Sequence, residues 1–237
     1  MRCIVVIPTY NECENLPLLL PEVLAQDPRL EILVVDDASP DGTGKIADDL
    51  SAAEPRIHVL HRDAKEGLGP AYRAGFRRAL ELGADWVLQM DADFSHPPDA
   101  LPKLLAAMQD HDAAMGSRYL NGITVVNWPI ERILLSYFGN LYVRKVTRLP
   151  ISDTTGGFRC MSREILERIG FERIRADGYA FQVELNYRLV HHGARVAEVP
   201  FFFLDRTRGV SKLTLRIGLE ALWMAWWLRI AAFMGRI

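Results

Sequence analysis

The segment Glu31-Ile32-Leu33-Val34-Val35 runs straight into Asp36-Asp37-Ala38-Ser39-Pro40-Asp41-Gly42-Thr43. A short apolar, β-branched run that ends in acids reads as a buried strand with polar side chains at its carboxyl end. The Ser-Pro-Asp-Gly stretch then makes a turn and a helix start. The pattern recurs along the first half of the chain. Residues 3–7 lead into Pro8-Thr9-Tyr10-Asn11-Glu12, and residues 57–60 precede Arg62-Asp63-Ala64-Lys65-Glu66-Gly67-Leu68-Gly69. Residues 86–90 lead into Asp91-Ala92-Asp93-Phe94-Ser95-His96, and a fifth strand is expected at 113–115. Helical periodicity falls between them, over 14–26, 42–53, 68–82 and 99–110. Alternation of this kind predicts an α/β fold with a mostly parallel central sheet flanked by helices. Ligands of such sheets bind at the carboxyl ends of the strands, so the four polar clusters are expected on one rim.

The chain has 237 residues, 49% hydrophobic and 24% charged, which excludes disordered and collagen-like classes. That length suits one large domain, or one domain with an appendage. The formal net charge of −2 hides an asymmetry. Residues 1–125 carry 11 Lys/Arg against 20 Asp/Glu, and residues 126–237 carry 17 against 10. An acidic half and a basic half attract different partners and do not describe a uniformly basic nucleic-acid binder. Cys3, Cys13 and Cys160 have no metal-ligand spacing and read as reduced thiols. The five residues between Arg2 and Pro8 are too few for the apolar core of a signal peptide, so a cytoplasmic location is expected.

Asp91 and Asp93 stand two apart at a strand end, and continued extension would project both carboxylates to one side. Two such oxygens suit Mg2+ or Mn2+, which keeps waters and takes further ligands from a substrate phosphate. An isolated Asp-x-Asp is also a common pair of solvated turn acids. Asp37 reads equally as a turn former or as an acceptor for the N–H and O–H groups of a nucleobase or ribose. Gly67-Leu68-Gly69 opens a dinucleotide-like pattern, but Tyr72 stands where its last glycine belongs and the loop follows the third strand; the fingerprint fails. Arg206, Arg208 and Lys212, spaced by Gly209 and Ser211, describe either a phosphate-grasping loop or a solvated linker. Gln182, Glu184 and Asp153 admit both a ligand-facing and a purely structural reading.

Three stretches together carry a resemblance: Val5-Val6-Ile7-Pro8-Thr9-Tyr10-Asn11-Glu12, Val34-Val35-Asp36-Asp37-Ala38-Ser39-Pro40-Asp41-Gly42-Thr43 and Met90-Asp91-Ala92-Asp93-Phe94-Ser95-His96-Pro97-Pro98. They resemble the family 2 glycosyltransferases with the GT-A fold. Gly116-Ser117-Arg118-Tyr119, Asn127-Trp128-Pro129, Arg132, Ser136 and Asp205-Arg206-Thr207-Arg208-Gly209-Val210-Ser211-Lys212 resemble the dolichol-phosphate (polyprenyl-phosphate) mannose synthase branch. The resemblance implies transfer of mannose from GDP-mannose to dolichyl or polyprenyl phosphate, with a UDP-glucose donor or a non-catalytic nucleotide-sugar-binding membrane module as alternatives. It implies that Pro8, Tyr10, Glu12, Val35 and Asp37 hold the nucleoside of the donor. Asp91, Ala92 and Asp93 would meet the diphosphate, the sugar and the metal. Ser95 stands where archaeal members often carry a metal-ligating Gln, and its hydroxyl is shorter. Arg118, Arg132, Ser136, Arg206 and Lys212 would surround the donor diphosphate and the acceptor phosphate, with Asp91, Asp93 and Arg118 catalytic.

A phosphate acceptor is already anionic near neutral pH, so no carboxylate base is required for a single inverting displacement. Domain boundaries are expected at 1–212 for the catalytic domain and 213–237 for a C-terminal amphipathic helix. Residues 217–235 are apolar except for Glu220 and Arg229. A central Arg costs about 2.5–3.5 kcal/mol on insertion, which disfavours spanning. Helical spacing puts Arg216, Glu220, Trp223 and Trp227 on one stripe, with Arg229 nearly opposite. Tryptophans flanked by arginines suit a helix lying at the headgroup level of a membrane. A core or dimer helix is the other reading. The expected location is peripheral, on the cytoplasmic face of the membrane.

Overall fold

The computed structural model describes residues 1–205 and 215–234, with side chains throughout except at Tyr179 and over 215–222. Arg206 and Lys212 therefore lie outside the described residues. Four parallel strands come first: β1 (Cys3–Thr9), β2 (Leu30–Asp36), β3 (Ile57–His61) and β4 (Trp86–Gln89). Strands β5 (Ala113–Ser117), β7 (Arg159–Ser162) and β8 (Val196–Pro200) complete a seven-stranded sheet in the order β3-β2-β1-β4-β7-β5-β8. A small second sheet pairs β6 (Val125–Val126) with β9 (Phe203–Leu204).

The helices are α1 (Leu16–Leu24), α2 (Thr43–Ala53), α3 (Leu68–Glu81), α4 (Leu101–Ala107), α5 (Ile130–Thr147), α6 (Arg163–Ile169), α7 (Gly178–His191) and α8 (Leu215–Phe233). Strand β1 explains why two layers form. Its alternate side chains Cys3, Val5 and Ile7 join the core under α1 and α4, while Ile4 and Val6 join the core under α3 and α7. Every one of these five is fully buried. Burying an aliphatic side chain contributes about 1.5–3 kcal/mol, so a strand apolar on both faces is held only as a central strand.

The expected α/β class is what the fold is, and the five expected strands and four expected helices of the first half are all present. Three details differ. Strand β7 runs antiparallel to both β4 and β5, so the sheet is mixed. The helix expected over 99–110 is split into a 3-10 turn at Pro98–Ala100 and α4, which ends at Ala107. Extension does not continue through Asp93 either. Strand β4 stops at Gln89, and Phe94 adopts a left-handed φ of 61°.

At the other end, α8 packs on α5 and α7 through Met224, Leu228 and the partly buried Trp227. Trp227 thus faces the protein and does not share an outward stripe with Trp223, which is 64% exposed. The outer face of α8 presents Trp223, Trp226, Ile230 and Phe233, and α5 adds Ile130, Leu134, Leu135 and Phe138. Among the described residues, no helix is long and apolar enough to cross a membrane.

Candidate active site

Strands β1 and β4 are hydrogen-bonded neighbours in parallel register, so the loops that follow them open side by side. The result is a cleft of ≈ 380 Å3 on the carboxyl rim. Pro8, Tyr10 and Glu12 line it from the first loop, and Asp91, Ala92, Asp93 and Ser95 from the loop after β4. Arg118 lines it from just beyond β5, and Arg132 lines it from α5, in the basic half of the chain. The acidic and basic halves therefore meet in one cavity.

The loop after β1 is bound to the loop after β2. The Asn11 amide donates to Ser39 Oγ at 3.1 Å and the Glu12 amide to Thr43 Oγ1 at 2.9 Å. Asp41 fixes the far side by accepting from the Thr43 hydroxyl at 2.6 Å and from the Thr43 and Cys13 amides. Burial pushes the Asp41 carboxyl up, but these hydrogen bonds outweigh it and hold it at about 2. Asp37 is buried behind this wall, with the Arg62 guanidinium 2.6 Å from Oδ1. Burial raises the Asp37 carboxyl above its ordinary value, and the Arg62 charge only partly offsets that.

Asp91 is held at both ends. The buried Tyr72 hydroxyl donates to Oδ1 at 3.0 Å, and the Asp91 amide donates to His96 Nδ1 at 3.0 Å. The accepting Nδ1 places the His96 ring proton on Nε2 in the neutral tautomer. Burial lowers the His96 pKa and keeps the ring neutral. His96 thus lines the cleft and holds the backbone of Asp91.

Asp93 turns back to accept the Ser95 amide at 3.1 Å, a local Asx turn. Ser95 Oγ is buried without a hydrogen-bond partner among the described residues. That hydroxyl beside two carboxylates fits a hard divalent cation. The described residues contain no group of three or more His, Cys, Asp or Glu side chains placed to hold one. The donor set therefore suits an ion that keeps waters and substrate oxygens, as Mg2+ and Mn2+ do.

Arg118 is aimed by a buried carboxylate. Asp153 accepts from Arg118 Nε at 2.6 Å, from Nη2 at 2.8 Å and from the Arg118 amide at 3.1 Å. Arg132 lies 3.9 Å above the Trp128 ring and donates from Nη1 to Asp205 at 2.9 Å. Ser136 meets the Tyr119 hydroxyl at 2.7 Å.

Most of the sequence-predicted residues are thus brought together. Val35, Asp37 and Ser136 stand outside the lining, behind or beside it. Sequence reasoning missed Lys65, whose Nζ sits 3.6 Å from the centroid of the Tyr10 ring, and Asp177, which caps α7 and accepts the Gly69 amide at 2.7 Å. Their signals are faint: a lysine in a glycine-ended loop and an acid before a glycine.

Known proteins share this architecture. Residues 4–170 match glycosyl transferase family 2. The chain is 47% identical over 214 residues to an undecaprenyl-phosphate mannosyltransferase of Micrococcus luteus, covering 90% of this chain and 88% of that protein. It is 48% identical over 215 residues to a polyprenol monophosphomannose synthase of Mycolicibacterium smegmatis, covering 90% and 81%. Among solved structures, glucosyl-3-phosphoglycerate synthase from Mycobacterium tuberculosis, in complex with Mn2+, UDP and glucosyl-3-phosphoglycerate, superposes with a TM-score of 0.64 at 19% identity. That match covers 99% of this chain and 79% of the other. A mannosyltransferase from Pyrobaculum calidifontis in complex with GDP-Man and Mn2+ gives 0.59 at 20% identity, covering 100% and 76%. At those identities the likeness is one of fold, and the fold is GT-A. By the extent of the profile match and of the two close relatives, the chain belongs to glycosyl transferase family 2.

Proposed function

We propose that this chain is a polyprenyl-phosphate mannosyltransferase that moves mannose from GDP-mannose to the phosphate of a polyprenyl or dolichyl phosphate. The observation that carries the reading is 47–48% identity, over 90% of the chain, to two enzymes named for that acceptor class and sugar. The cleft supports it, because acids suited to a metal face arginines suited to phosphate.

Pro8, Tyr10 and Glu12 bind the nucleoside, with Val35 and Asp37 supporting them from behind. Asp91 and Asp93, with Ser95 beside them, hold Mg2+ or Mn2+. When bound, that ion neutralises charge on the departing diphosphate. Arg118, held by Asp153, directs its guanidinium at phosphate oxygens, and Arg132 lines the same cleft beside Trp128. Arg206 and Lys212, which the resemblance also assigns to phosphate, lie outside the described residues, and Ser136 supports the acceptor side. The acceptor phosphate oxygen forms a bond to the anomeric carbon as the bond to the diphosphate oxygen breaks, inverting that carbon. GDP leaves with the electron pair. The residues act by placing two anions in line, and the acceptor needs no proton removed.

A lipid acceptor demands a lipid-facing surface. The exposed apolar faces of α5 and α8 supply one, and we place the enzyme peripherally on the cytoplasmic face of the membrane. The test is incubation with polyprenyl phosphate, Mg2+ and a panel of labelled sugar nucleotides. Label from GDP-mannose is expected in the lipid fraction, and Asp93→Asn is expected to abolish it. Incorporation from UDP-glucose instead would replace the donor assignment.

A further inference from the structure

Arg159 on β7 is the largest side chain that is fully buried, and none of its hydrogen-bond partners among the described residues is a carboxylate. Nη1 donates to Asn186 Oδ1 at 2.5 Å, and Nη2 donates to Gln182 Oε1 at 2.7 Å and to the Gly156 carbonyl. Burial lowers its pKa to about 10, so it stays a cation near neutrality. A guanidinium has donors only, so the Gln182 atom facing it must be the carbonyl oxygen. Gln89 Nε2 donates to the same oxygen at 2.8 Å. Every Gln182 side-chain hydrogen bond among the described residues ends on Oε1.

The amide nitrogen is therefore turned the other way, and Gly157 is what lies there. A Cβ at Gly157 would stand 3.1 Å from Gln182 Nε2, so the missing side chain leaves the amide uncovered. Gln182 and Gly157 both line the cleft that holds Asp91, Asp93 and Arg118. The cleft already contains cations to meet phosphate. A neutral N–H donor with a fixed direction is suited to a hydroxyl oxygen.

We propose that Arg159 clamps Gln182 by its oxygen so that Nε2–H donates to a hydroxyl of the transferred sugar. Gln182 is then a sugar-recognition residue and Arg159 its positioning residue. The inference rests on the nucleotide-sugar reading of the cleft. Two substitutions isolate it. Gln182→Glu keeps the length and the acceptor for Arg159 but removes the N–H donors, and Gly157→Ala covers the amide without changing charge.

Isothermal titration with GDP and with GDP-mannose, in the presence of Mg2+, reads the result. Both variants are expected to bind GDP-mannose about three- to ten-fold more weakly, the worth of one hydrogen bond. GDP affinity should stay within about two-fold of wild type for Gly157→Ala. The melting temperature of Gln182→Glu should not fall, because its carboxylate meets the buried cation. Equal losses for GDP and GDP-mannose in Gly157→Ala would put the contact on the diphosphate and overturn the proposal. Unchanged GDP-mannose binding in both variants, with wild type binding normally, overturns it alone. Failure of wild type to bind either ligand overturns the reading beneath it as well.

Discussion

The hydroxyl of Tyr72, a fully buried side chain on α3, donates to Asp91 Oδ1 across 3.0 Å. Burial and the neighbouring carboxylate push the Tyr72 pKa well up, so the hydroxyl remains a neutral donor. A hydrogen bond to a charged acceptor contributes about 1.5–3 kcal/mol. Tyr72→Phe keeps the ring stacked on Phe181 but lets the carboxylate turn. The concentration of Mg2+ or Mn2+ needed for half-maximal transfer is expected to rise about ten-fold or more, and the melting temperature to fall by a few degrees. A metal titration of mannose transfer checks it.

Asp153 and Arg118 form a buried ion pair, with side chains 2% and 6% exposed. Removing one partner of such a pair leaves an uncompensated charge and costs about 3–5 kcal/mol. Asp153→Asn should lower stability by that amount at pH 7, measured by urea unfolding. Burial pushes the Asp153 carboxyl up, and the Arg118 charge and hydrogen bonds outweigh it and hold it below the ordinary 3.8. A depressed carboxyl contributes stability above its unfolded pKa and loses it as pH falls through the folded value. The gap between wild type and variant should therefore be full at neutral pH and narrow as pH falls below 3.8.

Gly67 has a φ of +113°, and a Cβ there would lie 2.0 Å from Asp177 Oδ2. Asp177 joins the starts of α3 and α7 by accepting the Gly69 and Gly178 amides, each at 2.7 Å. Gly67→Ala should cost about 1–3 kcal/mol in backbone strain alone. Displacing Asp177 adds to this and disturbs the loop that sets Lys65 over Tyr10. Thermal unfolding and GDP titration should both register the change.

The outward faces of α5 and α8 together expose Leu135, Phe138, Trp223 and Trp226. A whole aromatic side chain presents about 150–250 Å2, and more than half of each of Phe138, Trp223 and Trp226 is exposed. Replacing Phe138, Trp223 and Trp226 with Ser should reduce co-sedimentation with anionic liposomes about ten-fold or more, while GDP binding is retained. Unchanged sedimentation would remove the membrane assignment from this face.

Legibility varied with how local the cause was. Residues 3–7 and 31–35 read as buried strands because their side chains are apolar on both faces, and the structure needs little more to place them. The paired acids of the 91–93 loop were visible for the same reason, as charges at the end of an apolar run. The conformation there was not visible. An extended Asp-Ala-Asp was the local expectation, whereas Phe94 at φ 61° and the Asx turn at Asp93 bend the chain away. Helical spacing put Trp223 and Trp227 on one stripe, but a periodicity cannot say which face a neighbouring helix covers, and α5 and α7 decide that.

By itself, then, the sequence determined an α/β chain with its polar clusters on one rim, and its motifs carried the resemblance to the family to which it belongs. The fold class and the rim follow from hydropathy period and turn residues, both properties of near neighbours along the chain. Only the tertiary structure decided that Asp153 aims Arg118, that Tyr72 and His96 hold Asp91, and that Arg159 turns the amide of Gln182. Those partners lie from 5 to 35 residues apart in sequence. Burial makes each bond obligatory, because a polar group removed from water must find its partner wherever packing has brought one.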